Sequence, residues 1–480
     1  MTLQVTNSLT GETEPFEPQD PDSVLLYYCG LTVSDLPHLG HARSWVHVDV
    51  MHRWLEQLGY DVRHVENFTD VNEKIVARVG EEFGETEPEV ARHFVGETIE
   101  DMRSLNLKRA DVYPRVSEHV PEIIDLVETL IDQGHAYEAS GSVYFDVSTF
   151  DEYGKLSNQD IEEIESQGDP DERSEKRNPA DFALWKAGEA HPDDADSGGQ
   201  TWESPWGEGR PGWHIECSAM STTHLDDSID IHVGGQDLIF PHHENEIAQS
   251  EAATGEQFAR YWLHVNLLET DGEKMSSSLE NFFTVRNAVR EFGPNAIRMF
   301  LLSAAFDSKQ TYSEATLDEA VERWERLDRG YRTAVDAADS PDTGTKVRDE
   351  QLRETVEDAR SEFKAAMNDN FNTREALAAL LEIAGAVNKH VENNEYDYQG
   401  LLDAIDAFET LGGEAFGFAF DGDTSGDVRL AEELVELVLD VREDERAAGN
   451  YERADALRDD LEGLGVTVED VDDGGVEYRF

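Results

Sequence analysis

Cysteine is nearly absent from this chain. Its 480 residues hold two, Cys29 and Cys217, far apart. Nothing here resembles a disulfide framework, and in a cytoplasmic chain two isolated thiols point to metal ligation or catalysis before a disulfide. Positive charge is scarce as well. Against 105 Asp and Glu stand 39 Lys and Arg, only ten of them lysines, for a formal net charge of −66. No apolar run approaches the length of a membrane span. The opening stretch MTLQVTNSLTGETEP lacks the basic and apolar regions of a signal peptide. The chain therefore reads as cytoplasmic, with no membrane partner.

What is present bounds the class. A hydrophobic share of 39% suits a globular chain and excludes a disordered acidic one. The length predicts two to four domains. The acids are spread over every segment, as on a solvated surface suited to very high salt, where self-repulsion is screened within a few ångströms. Such a net charge does not exclude a nucleic-acid partner, because local basic patches such as Lys108-Arg109 and the arginines between Arg442 and Arg458 persist.

The first crossing organises the rest. Val24–Tyr28 is the short apolar run of a buried parallel strand. After Cys29 and Gly30 comes Pro37-His38-Leu39-Gly40-His41, and then apolar residues recur every three to four positions from Ala42 to Leu58. Gly59 stops that pattern. This spacing predicts an amphipathic helix ended by glycine. His38 and His41 thus flank Gly40 at a helix start just past a strand's carboxyl end, where open α/β sheets bind ligands and helix amino ends attract phosphate. Two histidines capping a surface turn would leave the same trace.

Further along, Asp61–Glu66 reads as a second strand, ending in Asn67-Phe68-Thr69-Asp70. Helices are predicted over Asn72–Val79, Glu89–Leu105 and Glu118–Gln133, and a hairpin over Ala136–Val147. The interruption suggests an insertion into a nucleotide-binding sheet. Gln159–Asn178 and Gly188–Gln200 read as exposed loops around an apolar island, Asp181–Lys186, and Pro205–Gly212 reads as turns. The sheet resumes with a helix over Gly212–Met220, a strand over Ile229–Val233 followed by Gly234-Gly235-Gln236-Asp237, and a helix opening at Pro241. A strand over Tyr261–Leu268 and a turn at Asp271–Glu273 lead to Lys274-Met275-Ser276-Ser277-Ser278. From Thr284 to about Leu464 the period is helical. Val466–Val468 and Val476–Phe480 suit a terminal hairpin.

Cys29, Cys217, His242 and Glu246 form a zinc-like donor set, the last two a helical turn apart on one face. Buried apolar cysteines and a solvated His/Glu pair would give the same pattern, and His243 is a rival ligand.

Together these pieces resemble the cysteinyl-tRNA synthetases, a family of class I aminoacyl-tRNA synthetases. The matching runs are Cys29-Gly30 with His38–His41, Asn67–Asp70, Gly212–Met220, Phe240–Ala248 and Lys274–Ser278. Downstream, Met367–Leu377 and Tyr451–Gly465 match as well. The resemblance implies an α/β fold: a Rossmann-type parallel-sheet catalytic domain with an insertion, an all-α anticodon-binding domain and a small terminal module. In numbers these are 1–110 and 206–310 for the halves of the catalytic domain, 111–205 for the insertion, 311–425 for the anticodon-binding domain and 426–480 for the module.

The same resemblance implies a monomer that joins L-cysteine to tRNA(Cys), using ATP with Mg2+. One Zn2+ is held by Cys29, Cys217, His242 and Glu246. It assigns catalysis to His38, His41 and Lys274, and ATP binding to Gly40, His41, Gly234, Asp237, Lys274 and Ser277. Substrate binding falls to Gly30, Thr69, Trp213 and His232. The chain departs from the family's Lys-Met-Ser-Lys-Ser signature, since Ser277 stands at its second lysine. Two rival readings remain. A ligase joining cysteine to an amino sugar would have no use for the helical region. A non-catalytic nucleotide- and zinc-binding regulator would not need His38, His41 and Lys274.

Overall fold

The structure, a computed structural model, describes residues 2–159, 170–189, 198–270, 273–274, 283–393 and 395–420. Towards the carboxyl end it describes parts of 434–470 and 476–479. The chain divides into two compact units, Met1–Ala419 and Phe420–Phe480.

In the first unit the strand β1, Ser23–Tyr28, carries Val24, Leu26, Tyr27 and Tyr28 buried, as a strand covered on both faces requires. The helix α1 follows over Leu39–Gln57, with Gly59 at φ +99° just beyond its end. That left-handed turn admits glycine without strain. The strand β2 is Asp61–Glu66. After the insertion come the helix α2, Trp213–His224, the strand β3, Ile229–Gly235, the helix α3, Glu244–Thr254, and the strand β4, Ala259–Val265. The four strands form one parallel sheet in the order β4-β3-β1-β2. β1 thus lies between β2, reached through α1, and β3, reached after the insertion. The carboxyl ends of β1 and β3 flank the point where the strand order turns, the ligand crevice of an open α/β sheet.

The insertion builds a four-stranded antiparallel sheet from Ala136–Ala139, Ser142–Phe145, Phe182–Ala187 and Gly209–Pro211. The apolar island is therefore an interior strand, and the stretch expected as turns holds an edge strand that leads through Gly212 into α2. Part of the first expected loop, Pro170–Glu175, is helical. Residues 160–169 and 190–197 of the two expected loops, and 271–272 of the expected turn, lie outside the described residues. An N-terminal hairpin, Gln4–Asn7 with Glu12–Pro15, had no sequence signal, because its strands are short and polar.

α1 departs from a simple amphipathic helix, since Arg43, His47, Asp49 and His52 are buried beside its apolar stripe. The helix Pro294–Leu302 and the segment Phe408–Ala415 cover its outer side. Arg43 is fully buried, donating to the carbonyls of Asn266 at 2.9 Å, Ala305 at 2.9 Å and Ser308 at 2.6 Å. Arg298 pairs with Asp49 at 2.5 Å and donates to the carbonyls of Phe416 and Leu105. These two arginines fasten α1 to the helical region, which runs through Glu314–Ala338, Glu350–Met367, Thr373–His390 and Tyr398–Ala407. Within the stretch expected to be nearly all helical, Gln310–Tyr312 is a strand paired parallel to Leu268–Thr270.

Arg298→Ala strips the buried Asp49 Oδ2 of its guanidinium partner, leaving Arg53 on Oδ1 as the remaining cation. Denaturant unfolding is expected to lose about 3–5 kcal/mol, and Arg298→Lys to recover only part of it, because an ammonium cannot serve several acceptors in one plane. A loss under 1 kcal/mol, on the order of a surface ion pair, would contradict this.

In the second unit Val435, Leu439, Leu461 and Val466 cluster. Thr467–Asp470 pairs antiparallel with Val476–Arg479, the expected hairpin.

Candidate metal and nucleotide site

His38 caps α1. Its Nδ1 accepts from the Gly40 amide at 3.1 Å, while its own amide donates to His41 Nδ1 at 3.2 Å. The two imidazoles stack with centroids 3.8 Å apart. Both Nδ1 atoms are thus acceptors, which places the proton of each neutral ring on Nε2, where it can be donated. In a chain this acidic, the first turn of α1 carries no acid, so the positive end of the helix dipole is left for an anion. Residues just past the Lys274 region pair with this turn. The Leu39 amide donates to the Phe283 carbonyl and the Val285 amide to the Pro37 carbonyl, each at 3.0 Å. Lys274 itself lies in the short strand Glu273–Lys274, paired antiparallel with Leu268–Thr270. Met275–Ser278, Ser277 among them, are outside the described residues.

Beyond the carboxyl end of β1, Cys29 meets Cys217 of α2 at 3.5 Å between sulfurs and His242 Nε2 at 3.3 Å. His242 Nε2 is 3.1 Å from Glu246 Oε1. Phe240 is extended at φ −135° and ψ 131°, and the chain turns helical after it, so the run opening at Pro241 continues directly into α3. All four side chains are buried, and their donor atoms lie within 4.8 Å of one another.

The surroundings suit a cation. Glu246 Oε1 is fully buried and has the His242 Nε2 nitrogen 3.1 Å away as its near neighbour. The other nitrogen of His242, Nδ1, meets His214 Nδ1 at 2.9 Å, which aims Nε2 into the cluster. Burial opposes charge on His242, yet the Glu246 carboxylate holds it up to about 10. Burial likewise opposes charge on Glu246, and His232 and His242 outweigh it, bringing it to about 2. The cluster thus stabilises positive charge at its centre. Two sulfurs, an imidazole and a carboxylate are a zinc donor set.

A second group, His232, His243 and Glu246, shares the same carboxylate. Its His243 turns Nδ1 to His264 at 2.8 Å, away from the sulfurs. His232, expected along the amino-acid pocket, is fully buried and holds Glu246 Oε2 at 2.9 Å. Its ring stacks on Trp262 at 4.2 Å.

The remaining expected residues surround the same crevice. The Gly30 amide donates to Asn67 Oδ1 at 2.9 Å, and a Cβ at Gly30 would stand 1.8 Å from the Asn67 carbonyl, so only glycine fits. Asn67 Oδ1 also accepts from Tyr27 Oη at 3.0 Å. Thr69 is buried beside Glu216, and Trp213, 42% exposed, lays its ring 4.5 Å from that of His242. At the end of β3, a Cβ on Gly234 would collide with His243, and exposed Asp237 follows on a short turn. Sequence reasoning had not assigned roles to Asn67, His214 or Tyr27. Asn67 was signalled by its place at a strand end and His214 by its place in the matching run Gly212–Met220, whereas Tyr27 read only as a buried strand residue.

The comparisons agree with this arrangement. A model of the class I (C) tRNA synthetase catalytic domain matches residues 15–322, and a DALR domain model matches 362–421. The chain is 69% identical to a cysteine–tRNA ligase of Haloarcula marismortui and 64% identical to one of Halobacterium salinarum, in each case over 100% of both chains. One from Thermococcus onnurineus is 44% identical, also over 100% of both. Among solved structures, the methionyl-tRNA synthetase of Mycobacterium tuberculosis with methionyl-adenylate superposes with a TM-score of 0.60 at 16% identity, covering 82% of this chain and 90% of that one. A leucyl-tRNA synthetase complex of Agrobacterium radiobacter gives 0.61 at 12% identity, covering 85% and 86%. Those two likenesses concern the fold alone. With its sheet, crevice and full-length relatives in agreement, the chain belongs to the cysteine–tRNA ligase family of class I aminoacyl-tRNA synthetases.

Proposed function

We propose that this chain activates L-cysteine with ATP and Mg2+ to cysteinyl-adenylate, transfers the cysteinyl group to the 3′-terminal ribose of tRNA(Cys), and selects its substrate by the thiol. The observation that carries the reading is the meeting of Cys29, Cys217, His242 and Glu246 beyond the carboxyl end of the strand that leads into the His38–His41 turn. When bound, zinc supplies a soft Lewis acid that favours the substrate's sulfur as thiolate over a serine hydroxyl. Shape alone separates such near-isosteres by only about 10–200-fold.

In the first step an oxygen of the cysteine carboxylate attacks the α-phosphorus of ATP and pyrophosphate leaves. His38 and His41 donate through Nε2 to the phosphate oxygens as charge builds on them, and the amide end of α1 at Gly40 adds its dipole. Lys274 and the Ser277 hydroxyl hold the departing phosphates. Asp237 and Gly234 take the nucleotide's ribose side, while Gly30, Thr69 and Trp213 frame the amino acid and His232 orients Glu246. In the second step a ribose hydroxyl of tRNA attacks the adenylate's carbonyl carbon and AMP leaves.

Cysteine-dependent ATP–pyrophosphate exchange by the purified, zinc-assayed protein tests this, followed by aminoacylation of tRNA at several salt concentrations. Cysteine should support exchange, and serine should be rejected beyond the roughly 200-fold limit of shape. Equal exchange with both amino acids would defeat selection by the metal, and exchange without transfer to tRNA would favour the amino-sugar ligase.

A further inference from the structure

Behind the first turns of α1 lies a small, largely buried chamber that the reaction above does not use. Its walls include Tyr28 of β1, Trp45 and Asp49 of α1, and His64 and Glu66 of β2. Lys108 and Tyr113, which follow the helix Glu87–Ser104, complete it. Its free volume is about 10 Å³, room for one water at most. Across it Trp45 Nε1 donates to Glu66 Oε1 at 3.0 Å, and both residues are buried.

The two ends of this hydrogen bond belong to the two halves of the site. Trp45 stands one helical turn after His41, with ring centroids 6.3 Å apart. Glu66 immediately precedes Asn67, which orders Gly30 and Tyr27. We propose that Glu66 is a positioning residue for adenylate formation: through Trp45 it holds the turn bearing His38 and His41 in register with the β2 end bearing Asn67 and Thr69. The inference rests on the reading of His38 and His41 as phosphate donors.

The chamber's electrostatics support a neutral latch. On α1, Asp49 pairs with Arg53 and Arg298, and His52 lies beside Glu56. Lys108 pairs with Glu56, and Arg109 sits over the Tyr113 ring. Asp111, which takes the His64 amide, and Tyr28 complete the surroundings. Both ring nitrogens of His64 are buried without hydrogen-bond partners, and burial with nearby His52 lowers that imidazole to about 3. Burial dominates at Glu66 and lifts its carboxyl to about 8, against the Trp45 hydrogen bond, so it is protonated at neutral pH. Since the folded chain binds this proton more tightly than the unfolded one, the associated stability is complete below the ordinary carboxylate value. It is lost as pH rises to about 8. Above that pH a desolvated carboxylate, held only by the Trp45 N–H, occupies the chamber at a cost to the fold around it.

Cysteine-dependent pyrophosphate exchange, normalised to titrated active sites and followed on both sides of pH 8, tests the latch. Glu66→Leu and Trp45→Phe should each lower kcat about 10- to 100-fold with KM for cysteine unchanged. Glu66→Gln keeps the acceptor and should keep kcat at neutral pH while losing the alkaline fall of the wild-type profile. An unchanged kcat in Trp45→Phe, which preserves the ring should Glu66→Leu fail to fold, overturns the proposal. So does an alkaline limb that persists in Glu66→Gln. A wild-type chain without cysteine-dependent exchange overturns the underlying reading together with the latch, whereas an active wild type with unaffected variants overturns the latch alone.

Discussion

Cys29→Ser lowers kcat/KM for cysteine activation by roughly 10³, empties the metal site on dialysis, and leaves an enzyme that separates cysteine from serine no better than shape allows. The substitution changes one atom and little volume, so packing at the end of β1 is preserved. What is lost is a soft anionic donor at 3.5 Å from Cys217 and 3.3 Å from His242. A neutral hydroxyl in its place is a poor zinc ligand. The remaining donors hold Glu246 and His242 as a buried ion pair, 3.1 Å apart, which no longer needs a metal to balance it. Metal content by atomic absorption and the cysteine-to-serine ratio of kcat/KM check the two parts independently. Full zinc content with unchanged discrimination would show that Cys29 is only a buried apolar residue.

His41→Ala lowers kcat for adenylate formation by about 10²–10³ and leaves KM for cysteine close to its wild-type value. The expected split follows from where the side chain acts. Its Nδ1 accepts from the His38 amide, so its Nε2 proton is presented at the helix start, where charge grows as the α-phosphate is attacked. On the proposed reading the amino acid is framed by Gly30, Thr69 and Trp213, on other elements. Losing an interaction that strengthens only in the transition state lowers kcat rather than binding. The same substitution removes half of a reciprocal cap, which costs about 1 kcal/mol of stability, and calorimetry separates that loss from the kinetic one. A change confined to KM for ATP would assign His41 to ground-state binding.

Much of this architecture was legible because local signals agreed with tertiary ones. Val24–Tyr28 is apolar on both faces and is buried on both. Gly59 ends α1 where the period predicts. Elsewhere the local signal was silent or divided. The edge strand Gly209–Pro211 is three residues long and takes its conformation from pairing with Phe182–Ala187. The N-terminal hairpin is written in threonine and glutamate. The buried Arg43, Asp49 and Arg298 look like surface charges in sequence, and only the packing of the helical region over α1 turns them inward.

At the site, spacing put His242 and Glu246 on one helical face but left His243 as a rival, because a one-residue ambiguity cannot be resolved without knowing how the helix is entered. The packing of α3 against β1 and β4 decides it: His242 turns to Cys29 and His243 to His264. His232 was placed at the amino-acid pocket by the family resemblance alone. It lies on a strand whose side chains alternate, and the face it takes is the one against Glu246.

The sequence by itself pointed to the family through motifs that resemble it in their order, and determined the parallel-sheet class and the residue types available for chemistry, since these follow from periodicity and composition along one dimension. Only the tertiary structure decided which of those residues meet. Cys29, Cys217 and His242 are separated by long stretches of chain, and no local rule relates them. Their convergence depends on β1 lying between β2 and β3, so that strand ends distant in sequence open onto one crevice.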